Sequence, residues 1–117
     1  MVVDPVVIGT RAHATGAAEV DLVVPPDLFY FAGHFPGAPV VPGVVQIKWA
    51  IAFARELLGA SREFAGMEAL KFHEVMPPGA RSTLKLDYTQ DSGKLRFVFA
   101  REGARYSSGR LLLRGGR

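Results

Sequence analysis

Residues 30 to 50 read YFAGHFPGAPVVPGVVQIKWA, and they concentrate the side chains of this 117-residue chain best suited to chemistry. His34 is the side-chain type whose ordinary titration lies closest to neutral pH, which makes it the natural candidate for moving a proton. Gly33 and Gly37 bracket His34-Phe35-Pro36, and Pro39 and Pro42 stiffen the run up to the next glycine. Proline fixes φ and glycine permits unusual backbone angles, so such a loop loses little entropy on ordering and aims its histidine reproducibly. Gly43 then opens an apolar segment with the pattern of a helix. The free N–H groups and positive dipole end of a helix start can polarise a carbonyl or hold an oxyanion. A substrate carbonyl placed there would have acidified α-protons close to an imidazole. A plain alternative is a tight turn in which His34 is a hydrogen-bonded packing residue, and composition leaves both open.

The elements that must hold this loop can be read from periodicity. AAEVDLVV, residues 17 to 24, alternates Glu19 and Asp21 with Val20, Leu22 and Val24, as a half-buried strand requires. The β-branched VVIGTRAHAT before it pairs back across Thr15-Gly16. A helix is predicted from Pro42-Gly43 to Leu58 with Gly59 as its stop, about 24 Å long at 1.5 Å per residue. It is apolar on nearly every side, which predicts burial. The rest reads as strands: MEALKFHEV, STLKLDYTQ, KLRFVFARE and ARYSSGRLLLR, the last three a meander joined by short turns. Two strands, a buried helix and four more strands predict an α+β chain, a curled antiparallel sheet wrapped around one central helix, in a single domain over residues 1–117.

Composition narrows the classes. Hydrophobic residues make up 49% and charged residues 21%, too apolar for a disordered chain. With no cysteine, disulfides, thiolate metal sites and cysteine nucleophiles are excluded. The N-terminus lacks a signal-peptide pattern, and Lys48, Arg55 and Glu56 interrupt the most apolar segment, so a cytoplasmic protein without a membrane span is expected. The net charge of +3 and the arginines at 101, 105, 110, 114 and 117 suit an acidic partner. They alternate with apolar residues as solvent faces of strands do, and no nucleic-acid motif accompanies them, so nucleic acid is not the expected partner. His13 and His73 show no metal-ligand spacing, and neither a metal nor a cofactor is expected.

FAGHFPGAPVVPGVVQ closely resembles the active-site signature of the β-hydroxyacyl-acyl carrier protein dehydratases, GHFPGxPxxPGV, with Gly33 to Gly43 fitting throughout. ALKFHEVMPPGARSTLKLDY resembles the same family's segment in which a KF pair precedes a PG turn, and PGVVQ is similar to the helix opening of relatives in aryl-polyene pathways. The likeness covers about residues 17 to 114; the family's usual leading helix has no counterpart here. The resemblance implies the hotdog fold, at least a homodimer, and active sites at the subunit interface. His34 would act on the α-carbon of a 3-hydroxyacyl thioester and the Gly43 N–H would hold its carbonyl. Phe35, Pro36 and Gly37, with Tyr30 and Phe31, would line the acyl site. The substrate would be carried by acyl carrier protein or coenzyme A.

One position departs from the pattern. The family's helix carboxylate lies fourteen residues after the histidine, and here that residue is Lys48. Lysine offers three donors and no acceptor, whereas a carboxyl group can give a proton and take it back. Lys48 is open to three readings: a replacement acid, a partner for Glu68, Glu74, Asp87 or an acidic ligand, or a side chain that snorkels to solvent. Arg55, seven residues on, shares its helix face, and Trp49 and Phe53 share another that suits core or interface. Gln46 reads as structural. The leading expectation is a dehydratase that gives a 2-enoyl thioester. The alternatives are a non-catalytic hotdog protein that binds an acyl thioester or carrier protein, or serves as a partner subunit, and, less favoured, a thioesterase.

Overall fold

A computed structural model describes residues 1–32 and 39–114. Strands β1 (Val6–Ala12) and β2 (Ala17–Val23) precede a single 3-10 turn at Phe29–Phe31 and helix α1 (Gly43–Leu58). Then come β3 (Glu63–Phe72), β4 (Arg81–Thr89), β5 (Lys94–Arg101) and β6 (Ala104–Arg114). All pairings are antiparallel, in the order β1-β2-β4-β5-β6-β3. The meander β4-β5-β6 forms as its alternation predicts, with Leu84, Leu86, Tyr88, Leu95, Phe97 and Phe99 turned inward and buried.

α1 lies on this inner face against β2 and β4, and it runs over the predicted residues. Gly59 takes a left-handed φ of 67°, and its N–H donates to the Ala54 carbonyl, which ends the helix. Val45, Ile47, Trp49, Ala50 and Ala54 are buried, and Trp49 Nε1 donates to the Val3 carbonyl at 3.1 Å. The expectation of burial on nearly all sides needs correction, because Val44, Lys48, Ala52 and Arg55 are exposed along one stripe. One sheet face covers only one side of a helix.

β3 also differs from its sequence reading, which began at Met67 and ended at Val75. It starts four residues earlier and stops at Phe72. Its pairing with β6 is interrupted between Phe64 and Gly66 and again between Glu68 and Lys71. At the second bulge Ala69 adopts φ 53°, a left-handed angle costly for a residue with a Cβ, and Leu70 comes to lie over Gly109. A Cβ at Gly109 would approach Leu70 and Phe97 to 3.1 Å, so glycine there admits the bulge. His13 and His73 fall just beyond β1 and β3 rather than within them.

Candidate functional site at the start of α1

Pro42 is the N-cap of α1, and its carbonyl accepts from both Val45 N–H (3.0 Å) and Gln46 N–H (3.2 Å). Among the described residues the Gly43 and Val44 N–H groups find no backbone acceptor, so they remain available at the positive end of the helix. Gly43 is required there for a second reason. The ring of Phe72, at the end of β3, lies so close that a Cβ at Gly43 would collide with it, at 2.7 Å from Cε1.

The approach to the helix is tied to the sheet through Gln46, which is buried. Its Nε2 donates to the Val41 carbonyl at 3.1 Å, and its Oε1 accepts from the buried Ser107 hydroxyl at 2.6 Å. Val41 N–H donates to the Met76 carbonyl at 2.8 Å. Gln46 thus fixes where the helix begins relative to β6. A lone glutamine in an apolar helix was the signal for it; nothing local to Ser107 signalled the partner. Gln46→Leu is expected to lower stability by about 1–3 kcal/mol, since it strands the Ser107 hydroxyl and the Val41 carbonyl in the interior. Urea unfolding reads this, and an unchanged midpoint would mean that the link does not hold the helix start.

Beside this N-terminus runs a groove of about 640 Å³ between α1 and β3. Val44, Ile51, Ala52, Phe64 and Met67 make its apolar walls. Tyr30 closes one end, while Phe31 packs against the core and does not line the groove. Lys48 and Arg55 are its charged residues, and they share one face as their spacing predicts. Arg55 Nη2 also donates to the Arg62 carbonyl at 3.2 Å.

The carboxylates considered as partners for Lys48 lie elsewhere. Glu68 meets Arg110 (3.3 Å) and Lys94 (3.8 Å), and Glu74 meets Arg101 (3.1 Å). Asp87 is exposed on the outer face of β4, opposite Arg96 in register. Among the described residues Lys48 forms no ion pair within its own chain. His34, Phe35, Pro36 and Gly37 lie outside the described residues.

The outer face of the sheet carries a separate cluster. The Arg11 guanidinium bonds Asp21 and Glu19, and Thr83 Oγ1 donates to Asp21 Oδ1 at 2.7 Å. These bonds, Arg11 first, hold the Asp21 carboxyl down at about 2 and lower that of Glu19. His13 Nε2 meets Glu19 at 2.9 Å. The cluster clasps β1 to β2 and takes no part in the groove.

Comparison with known proteins agrees with this architecture. The family model for ApeI-like proteins, described as ApeI dehydratase, matches residues 10–110. The 3-hydroxyacyl-[acyl-carrier-protein] dehydratase FabZ of Erythrobacter litoralis is 36% identical over 98 residues, covering 75% of this chain and 60% of the relative. FabZ of Chlamydia trachomatis serovar L2 is 38% identical over 80 residues, covering 61% of this chain and 52% of the relative. The chain therefore spans only about half to three-fifths of the curated relatives it matches. A chain of the dehydratase heterocomplex ApeI:P from Xenorhabdus doucetiae superposes with a TM-score of 0.88 at 32% identity, covering 94% of this chain and 97% of that one. Among the described residues no helix is long and apolar enough to cross a membrane. With the loop signature, the helix start and the sheet order all in agreement, this chain is a hotdog-fold protein and belongs to the ApeI-like dehydratase family.

Proposed function

We propose that this chain takes part in the dehydration of a 3-hydroxyacyl thioester carried on a phosphopantetheine arm, of acyl carrier protein or of coenzyme A. The observation that carries the reading is the pair of unsatisfied N–H groups at Gly43 and Val44, at the head of an apolar groove and a few residues beyond the loop that bears His34. In this reading the thioester carbonyl accepts from Gly43 N–H, which stabilises negative charge as the α-carbon loses its proton to His34. The electron pair left at the α-carbon forms the new double bond. The β-hydroxyl departs with a proton from an acid and leaves as water. Phe35, Pro36 and Gly37 shape the loop around the acyl group, and Tyr30 bounds it. Phe31 supports that wall from the core side.

The acid is assigned to a second chain. The apolar stripe on α1 and the free edge of β3 suit pairing, so the working unit is expected to be a dimer or an assembly of dimers. The related ApeI:P structure is a heterocomplex, which supports a site built from two chains. Lys48 stands where the family places its carboxylate, and this favours the second reading, a chain that binds acyl thioester or carrier without turning it over by itself.

Hydration of a 2-enoyl thioester, the reverse reaction, tests the proposal. Product formed by the wild-type chain or by Lys48→Glu, and lost in His34→Ala, supports it. Release of free acid from the thioester would point to hydrolysis instead. Binding with no turnover in any variant would leave the second reading.

The carbonyl contact has its own test. Gly43→Pro removes the N–H at a helix position that tolerates proline, but the added ring would also strike Phe72. The comparison is therefore made in a Phe72→Ala background, where Gly43→Ala keeps the N–H and Gly43→Pro deletes it. The proline variant is expected to fall below the alanine variant by about 10²-fold in kcat, the loss usual for one oxyanion donor. Equal rates would remove Gly43 from the mechanism.

A further inference from the structure

We infer that the groove along α1 is built to receive a chain unlike this one, with carboxylates presented to Lys48 and Arg55, in preference to a second copy. The inference deepens the reading above, in which a second chain supplies the acid. Val44 is 73% exposed, Phe64 43% and Met67 46%, and together with the free edge of β3 they form a surface that calls for cover. Shape alone would let two copies meet there. Charge argues against it.

Lys48 and Arg55 line the groove and no acid does. The acids nearest in sequence are turned aside. Glu56 follows Arg55 by one position, about 100° round the helix. Glu68 is held by Arg110 and Lys94. Glu63 alternates with the groove-lining Phe64 and therefore points to the other side of β3. Gly33 to Ala38, the loop beside the helix start, contains no acid in its sequence.

A two-fold pairing sets one patch against itself, so a homodimer through this groove would gather two copies of Lys48 and two of Arg55 without a counter-charge. Like charges drawn together out of water oppose association. A partner of similar apolar contour with aspartate or glutamate facing these two cations would relieve that opposition and be steered toward it.

A charge-reversed copy of this chain serves as the acidic partner. The wild-type chain and the Lys48→Glu/Arg55→Glu variant are mixed in equal amounts at low salt, re-equilibrated, and weighed as dimers by native mass spectrometry. The mixed dimer is expected to exceed the share of about one half that random pairing gives two copies meeting through one self-complementary patch. Alongside, sedimentation compares the wild-type chain with Lys48→Gln/Arg55→Gln, which removes the charge without adding apolar surface. The neutral variant is expected to self-associate at least about tenfold more tightly, since it no longer brings like charges together. A mixed share of one half or less, or a wild-type chain that pairs with itself as tightly as the neutral variant, overturns the inference. Both substituted residues are exposed, and unchanged circular dichroism confirms that each variant folds. Neither readout involves substrate, so loss of the dehydratase reading and loss of this one are told apart.

Discussion

Lys48→Glu is expected to raise turnover of a 2-enoyl or 3-hydroxyacyl thioester by about 10²–10⁴-fold over the wild-type chain assayed alone, the range usual for a positioned general acid. An ammonium group can give up a proton but cannot accept a hydrogen bond from the departing water, whereas a carboxyl group does both. The base-bearing loop and the helix start precede position 48, and the side chain lies exposed on the groove wall, so the substitution disturbs little packing. It also replaces one of two neighbouring cations by an anion, which eases pairing of the variant with itself. The measurement is the rate of enoyl loss at fixed chain concentration. A wild-type chain that is already fast and becomes slower in Lys48→Glu would make Lys48 the acid. A fast wild-type chain that Lys48→Met leaves intact would put the acid elsewhere and end both accounts of this position.

The second large effect is at His34. In the Lys48→Glu background, His34→Ala is expected to remove about 10²–10⁴-fold of the rate while leaving Tm nearly unchanged, because a base taken from a loop contributes to proton transfer more than to the core. The substrate should still bind, since the groove and the Gly43 N–H are untouched, so KM should move less than kcat. Loss of folding with activity retained at low temperature would instead identify His34 as a packing residue. Equal rates with and without the imidazole would remove it from the chemistry.

These two experiments bear on one physical question, whether a site with its base and carbonyl donor in place lacks only a proton donor. The distribution of charge in the groove makes the question sharper. A surface that catalysed through its own symmetric dimer would be expected to balance Lys48 and Arg55 with acids on the same face, and none lines it.

Much of this was legible in the chain itself because it is encoded locally. Alternation of apolar and polar residues marks β2, β4 and β5 one residue pair at a time. Pro42-Gly43 and Gly59 bound α1 through backbone preferences that need no distant partner. The loop around His34 is likewise a run of short-range constraints, and its likeness to the dehydratase signature is a property of consecutive residues.

The features that tertiary structure alone decided depend on residues far apart in the chain. The place of β3 at the sheet edge beside β6, and its bulges, come from packing Leu70 against Gly109 and Phe97, which no local pattern specifies. The Phe72 ring over Gly43 and the Gln46–Ser107 hydrogen bond join positions 29 and 61 residues apart, so the setting of the helix start is a property of the sheet's closure over the helix. The same geometry exposed the stripe of α1 that periodicity had assigned to the core. A helix apolar all round reads as buried, but a sheet of this curvature covers one side and leaves the face with Lys48 and Arg55 for another chain.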